Sequence, residues 1–142
     1  MNKVYLLDTN IVSEFTKKYP NQNVLALYEA RKNMCAISAT SFQELVYGAE
    51  KMPEGKRKNS IANFVENLRN NIEIIPYDGF AAEICGHLSG QCTKEGKPLP
   101  YCDTQIAATA IANGMVLVTR NTADFEEAAE RSFLRVEDWF QE

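Results

Sequence analysis

The chain has 142 residues, of which 45% are hydrophobic and 24% charged, and this composition excludes an intrinsically disordered protein. Its 15 Lys and Arg against 19 Asp and Glu give a formal net charge of −4, which excludes the overall basic surplus typical of nucleic-acid binders but not a local basic patch. No apolar run approaches the roughly 20 residues needed to span a bilayer, and the N-terminus lacks a signal-peptide pattern. We therefore expect a single cytoplasmic domain over residues 1–142, with no membrane partner.

Along the chain, short apolar runs alternate with segments of helical periodicity. The runs predict five β-strands, at residues 4–7, 35–37, 72–75, 115–118 and 133–136. Short helices are expected at 11–17 and 24–31, and three longer ones carry apolar stripes that begin at Phe42, Ile61 and Ile106, the last helix being ended by Gly114. Residues 53–58 and 90–100 are predicted loops. This alternation predicts an α/β fold with a parallel sheet covered on both faces.

Four acidic residues map to one edge of the predicted sheet, where strands end and the following helices begin. They are Asp8, Glu44, Asp103 and Asp124. Two carboxylates about 4 Å apart repel each other by roughly 4 kcal/mol at an effective dielectric constant near 20, so such a group demands a counter-charge. An oxygen-only ligand set suits Mg²⁺ or Mn²⁺ better than zinc, and these ions support phosphodiester hydrolysis.

Simpler interpretations exist for each acid. Asp8 and Asp103 could be helix N-caps, and Ser41 with Glu44 fits a capping box. Asp124 could stabilise the start of a short helix that runs through Glu130. A zinc site is a further alternative, for which the candidate ligands are Cys85, His87, Cys92 and Cys102. The spacing of these four residues differs from the tight ligand pairs of structural zinc sites.

Five segments resemble the motifs of PIN-domain ribonucleases, and they occur in the order typical of that family. They are Leu7-Asp8-Thr9-Asn10-Ile11, the segment 38–48 with Phe42-Gln43-Glu44-Leu45, Asp103-Thr104-Gln105-Ile106, the segment 119–125 with Thr119-Arg120-Asn121, and Val136-x-x-Trp139. The most similar subgroup is that of the VapC-type toxins of bacterial toxin–antitoxin pairs. One departure precedes Asp103, where many relatives carry an acidic or small residue and this chain has Tyr101-Cys102.

The resemblance implies a Rossmann-like three-layer α/β/α sandwich and an endoribonuclease that depends on Mg²⁺ or Mn²⁺. It implies that Asp8, Glu44, Asp103 and Asp124 form the catalytic pocket. In that pocket Asp8 and Asp103 would bind the metal directly, and the other two acids directly or through water. The supporting polar residues would be Asn10, Thr119 and Asn121. Arg120, which the fourth motif places at the edge of the pocket, would either contact a phosphate or brace Asp124. The implied partners are RNA, a cognate antitoxin and a second copy of the chain, with larger antitoxin complexes also expected.

Two other functions remain open from the residues alone. A Mg²⁺-dependent phosphatase or phosphotransfer domain would also place acids at a strand end. However, Asn10 stands where a haloacid-dehalogenase-type enzyme needs a second Asp, and the late strand leads to Thr119-Arg120-Asn121 rather than to the Lys of a receiver domain. An inactive PIN-like module that uses its acids to bind a basic partner is the other alternative.

Overall fold

A five-stranded parallel sheet forms the centre of this computed structural model, which describes residues 3–141. The strands are β1 (Tyr5–Leu7), β2 (Cys35–Ser38), β3 (Glu73–Ile75), β4 (Val116–Val118) and β5 (Arg135–Glu137), arranged in the order β3-β2-β1-β4-β5. Because the chain winds outward from β1 in both directions, the two halves of the sheet meet between β1 and β4. Ligands of open α/β sheets bind at this kind of crossing point, outside the carboxyl ends of the strands.

Helices cover both faces of the sheet, as predicted. They are α1 (Thr9–Ser13), α2 (Gln22–Arg31), α3 (Ala39–Glu50), α4 (Lys56–Asn71), α5 (Gly79–Lys94), α6 (Tyr101–Ala112) and α7 (Glu126–Glu130). Short 3₁₀ turns follow α1 and α2 and precede α7, at Glu14–Thr16, Lys32–Met34 and Thr122–Phe125. Across the described residues, none of the helices has the length and apolarity to cross a membrane.

Neighbouring strand residues point to opposite faces of the sheet, which explains why the central strands are apolar throughout. Leu6 and Leu117 enter a core shared with α5, α6 and α7, whereas Leu7 and Val118 enter a second core shared with α1 to α4. Trp139, only 1% exposed, closes the second core with its ring 5.4 Å from that of Tyr5. Both ends of the described chain therefore contribute to one core.

Four of the five predicted strands lie within a residue of their expected positions, and the fifth is displaced. The strand expected at 133–136 begins at Arg135, because Leu134 is buried in the core while Phe133 is 97% exposed and pairs with nothing in the sheet. The helix expected at 11–17 ends at Ser13 and continues as a 3₁₀ turn.

The two predicted loops are shorter than expected. Helix α5 continues through Gly90 to Lys94, because Leu88 and Cys92 are buried on one helical face, and this burial outweighs the cost of about 1 kcal/mol for a helical glycine. Gly96, with φ at +74°, then ends the helix. Helix α4 begins at Lys56, inside the other predicted loop. Gly114, with φ at +63°, ends α6 as predicted.

Candidate functional site

Asp8 occupies the crossing point between β1 and β4, where the residue is 7% exposed. Oδ1 accepts a hydrogen bond from the Thr9 backbone N–H at 2.8 Å, which makes Asp8 the N-cap of α1. Oδ2 accepts bonds from the Thr119 hydroxyl at 2.8 Å and the Asn10 amide at 3.3 Å. Asp8 is thus both a helix cap and a fixed carboxylate at the ligand-binding edge of the sheet.

Thr119 and Asn10 hold this carboxylate from the neighbouring strand and helix. The buried Thr119 hydroxyl accepts hydrogen bonds from the Asn10 amide and the Asn121 backbone N–H, both at 3.1 Å, while it donates to Asp8. The side-chain oxygen Oδ1 of Asn10 accepts from the Arg120 backbone N–H at 3.0 Å. These bonds connect the segments that follow β1 and β4, so the orientation of Asp8 depends on both.

Glu44 joins the site through Thr9, a residue whose role the sequence patterns did not indicate. The Thr9 hydroxyl donates to Glu44 Oε1 at 2.8 Å. The capping-box interpretation of Glu44 is wrong, because α3 begins earlier and its N-cap is Ser38, which accepts from the Ser41 backbone N–H at 3.0 Å. The only sequence feature that could have indicated this role is that Thr9 places a hydroxyl group directly after Asp8.

Asp103 is half-buried in the first turn of α6, which begins at Tyr101, so the N-cap interpretation of Asp103 is also wrong. Its side chain accepts no hydrogen bond from the described residues. Burial is the main reason that the pKa of Asp103 rises to about 6. The charges of Asp8, Asp124 and Glu44 raise this pKa further, which indicates that all four carboxylates share one electrostatic field.

The pKa of Asp8 is raised as well. Burial is the largest cause, and the negative charge of Asp124 adds to it. The hydrogen bonds from Thr119, Thr9 and Asn10 lower this pKa without cancelling the rise. Raised pKa values on neighbouring carboxyl groups show that this edge of the sheet would gain from a bound cation.

The three remaining predicted residues lie at the rim. Asp124 is exposed in the 3₁₀ turn before α7, and Asn121 is exposed with only its backbone engaged in hydrogen bonds within residues 3–141. Arg120 stacks its guanidinium 4.5 Å from the ring centroid of Phe140. Among the described residues it forms no ion pair with Asp124, so it does not brace that carboxylate.

The donor set fits a hard divalent cation. The four carboxylates, which we call the acidic site, offer only oxygen ligands, although no three Asp, Glu, His or Cys side chains within residues 3–141 are gathered into a ready metal cage. A hard divalent cation held by one or two of these carboxylates would complete its coordination shell with water. The zinc alternative fails because Cys85 and Cys92 are buried along α5, whereas Cys102 is exposed elsewhere.

Comparisons with known proteins agree with this architecture. The profile of the PIN domain family matches residues 5–131. The tRNA(fMet)-specific endonuclease VapC of Shigella flexneri is 33% identical over 135 residues, which make up 95% of this chain and 97% of that protein. The VapC ribonuclease Y4jK of Sinorhizobium fredii is 36% identical over 129 residues, or 87% of this chain and 91% of its own. The DNA-bound VapBC structure from Salmonella typhimurium superimposes with a TM-score of 0.80 at 29% identity, covering 96% of this chain and 98% of that chain. The chain therefore belongs to the PIN-domain family, in its VapC-type branch.

Proposed function

We propose that this chain is an endoribonuclease that requires Mg²⁺ or Mn²⁺ and acts as the toxin of a toxin–antitoxin pair. The observation that carries the proposal is the buried Asp8 carboxylate, fixed by Thr119 at the sheet crossing point and sharing one negative field with Asp103. The VapC-type relatives, two of which are named as a ribonuclease and an endonuclease, support the same reaction class.

We assign separate roles to the residues of the acidic site. Asp8 and Asp103 would hold the divalent ion, with Glu44 and Asp124 contributing directly or through water. When bound, the ion supplies positive charge to the scissile phosphate and acidifies a water molecule. Thr119 and Asn10 keep Asp8 Oδ2 oriented, and Thr9 does the same for Glu44 Oε1. We propose Asn121 and Arg120, both exposed at the rim of the acidic site, as contacts to the RNA backbone.

Cleavage assays with matched variants test the reaction. The first substrate is tRNA, because the Shigella relative is named for tRNA(fMet). We expect cleavage with Mg²⁺ or Mn²⁺, none with a chelator, and losses of at least about 100-fold in Asp8→Asn and Asp103→Asn. Asp78→Asn, at the N-cap of α5, keeps its bond to the Ala81 N–H and should retain activity. Full activity in both site variants would refute the assignment.

The same assays separate the alternatives. Hydrolysis of a small phosphomonoester without RNA cleavage would favour a phosphatase. Absence of both activities, together with normal folding and Mg²⁺ uptake measured by isothermal titration, would favour a binding module.

We propose a cognate antitoxin as the protein partner. An antitoxin side chain that carries positive charge could enter the acidic site and compete for its negative field. Expression of the chain alone should arrest growth, and co-expression of its antitoxin should relieve the arrest. Unimpaired growth with the folded chain present at high level would contradict the toxin assignment. We also propose that two copies associate, which light scattering of the purified chain would test.

A further inference from the structure

A pocket that shares only Glu44 with the acidic site adjoins it. It lies between α3 and α6 and has a volume of about 260 Å³. Its lining side chains are Thr40, Gln43, Glu44, Tyr47, Cys102 and Gln105. Because Glu44 belongs to both the pocket and the acidic site, any group held here lies beside the carboxylates.

Two amide side chains supply directional hydrogen bonding in this pocket. The Thr40 hydroxyl donates to Gln105 Oε1 at 3.1 Å, which fixes the amide plane. Within residues 3–141, neither N–H donor of Gln105 Nε2 has a partner, so both can reach a ligand. Thr40 is 6% exposed, so this orientation is set by a buried anchor. The exposed Gln43 side chain forms no hydrogen bond with the described residues. A ligand with both acceptors and donors on one planar edge matches these groups.

An exposed tyrosine supplies a stacking surface at the mouth of the pocket. Tyr47 is 64% exposed, so its ring is accessible to a ligand from solvent. The Lys51 ammonium lies 4.9 Å from its ring centroid, so a positive charge accompanies the ring. Proteins that recognise single-stranded nucleic acids commonly stack unpaired bases on aromatic rings and bind the phosphates with nearby basic side chains.

We propose that this pocket holds one unpaired nucleobase of the RNA, beside the phosphodiester bond that is cleaved; this inference rests on the proposed function. Tyr47 stacks on the base, and Gln43 and Gln105 bond its edge. The volume suits a single planar group, since pockets for drug-sized molecules begin at about 300 Å³. A phosphate fits poorly because Glu44 would repel it. The pocket thereby selects the base next to the cleavage point.

Alanine substitution tests the selection directly. Tyr47→Ala and Gln43→Ala should each lower kcat/KM on single-stranded RNA of randomised sequence, by about 10- to 100-fold for the stacking residue. Both should also flatten the preference for bases at the cleavage point. Matched controls are Tyr19→Ala and Gln91→Ala, exposed residues that do not line the pocket, and these should change neither quantity.

Photocross-linking gives a readout that does not depend on cleavage. In the Asp103→Asn background, the same RNA pool carrying 5-iodouridine should cross-link to Tyr47 and not to Tyr19, as mapped by mass spectrometry. If both alanine variants kept the wild-type kcat/KM and base preference, the pocket assignment would be refuted while the proposed function would stand. Failure of the unaltered chain to cleave any RNA would refute the proposed function and, with it, the pocket assignment. If light scattering gave a smaller molar mass for Tyr47→Ala than for the wild type, and base preference were unchanged, Tyr47 would belong to an interface between two copies of the chain. That result would also overturn the inference.

Discussion

Replacing Asp103 by Asn should abolish activity and yet raise the stability of the chain without metal. A rise in pKa from the ordinary 3.8 to about 6 corresponds to roughly 3 kcal/mol of unfavourable free energy when the carboxylate is charged. Because the group is only half-buried, solvent screening reduces this to about 1–2 kcal/mol. Asn also loses the favourable interaction of a negative charge with the first turn of α6, worth about 0.5 kcal/mol.

The net gain expected for Asp103→Asn is therefore about 1 kcal/mol, or a Tm increase of about 3 °C in a chain of this length. The size of this gain depends on pH. The folded state binds the Asp103 proton more tightly than the unfolded state, so the wild-type penalty is complete above pH 6 and disappears as the pH falls through about 6 towards 4. The variant's advantage should thus be largest near pH 8 and much smaller near pH 5.

Thermal unfolding followed by circular dichroism, with a chelator present, measures this difference at both pH values. The matched control is Asp78→Asn, which should shift Tm little and equally at both pH values, because Asn also caps a helix well. An advantage of Asp103→Asn that is absent, or identical at the two pH values, would refute the electrostatic argument. Added Mg²⁺ should stabilise the wild type more than the variant.

Three further outcomes are expected. Thr119→Val removes the 2.8 Å bond to Asp8 and should lower activity by about 10- to 100-fold and stability by about 1–3 kcal/mol, whereas Thr119→Ser keeps both; equal activity of the two variants would contradict this. At limiting metal, kcat/KM should fall below pH 6 as protons compete for Asp103, and a profile that is flat down to pH 5 would exclude such competition. Trp139→Ala should cost about 3–5 kcal/mol in urea unfolding and Trp139→Phe much less, because this 1% exposed ring fills one core; similar midpoints for the two would contradict that packing.

The strands were predictable because a strand buried on both faces is apolar at every position, and turns bound it. Two local rules failed where packing was decisive. Gly90 indicated a loop, but Cys92 and Leu88 are buried on one side of α5 and keep the helix intact. Phe133 indicated a strand, but the sheet pairs only from Arg135 onward. Local sequence does not show that this face of α5 packs against the core, nor at which residue the last strand begins to pair with β4.

The acidic site was predictable in outline for a topological reason. Parallel strands bring their carboxyl ends to one edge, so the acids that follow β1, β2 and β4 are expected there without any information about side chains. Asp103 is expected at the same edge because α6 begins there before it leads into β4. Sequence spacing could not show which groups hold each acid. The Thr9 bond to Glu44 spans 35 positions, and the Thr119 bond to Asp8 spans 111. The pocket with Tyr47 was missed because it exists only once α3 lies beside α6.

Strand β5 and Trp139 determine how much of the chain must be synthesised before the acidic site can form. The Thr119 backbone N–H donates to the Glu137 carbonyl at 2.9 Å, and Trp139 seals the core that also contains Leu7. Without residues 135–139, the core around Leu7 would lack Trp139, and Thr119, which holds Asp8, would lack its bond to Glu137. We expect nuclease competence to arise only after residues 135–139 have been synthesised and have packed against β4 and the second core.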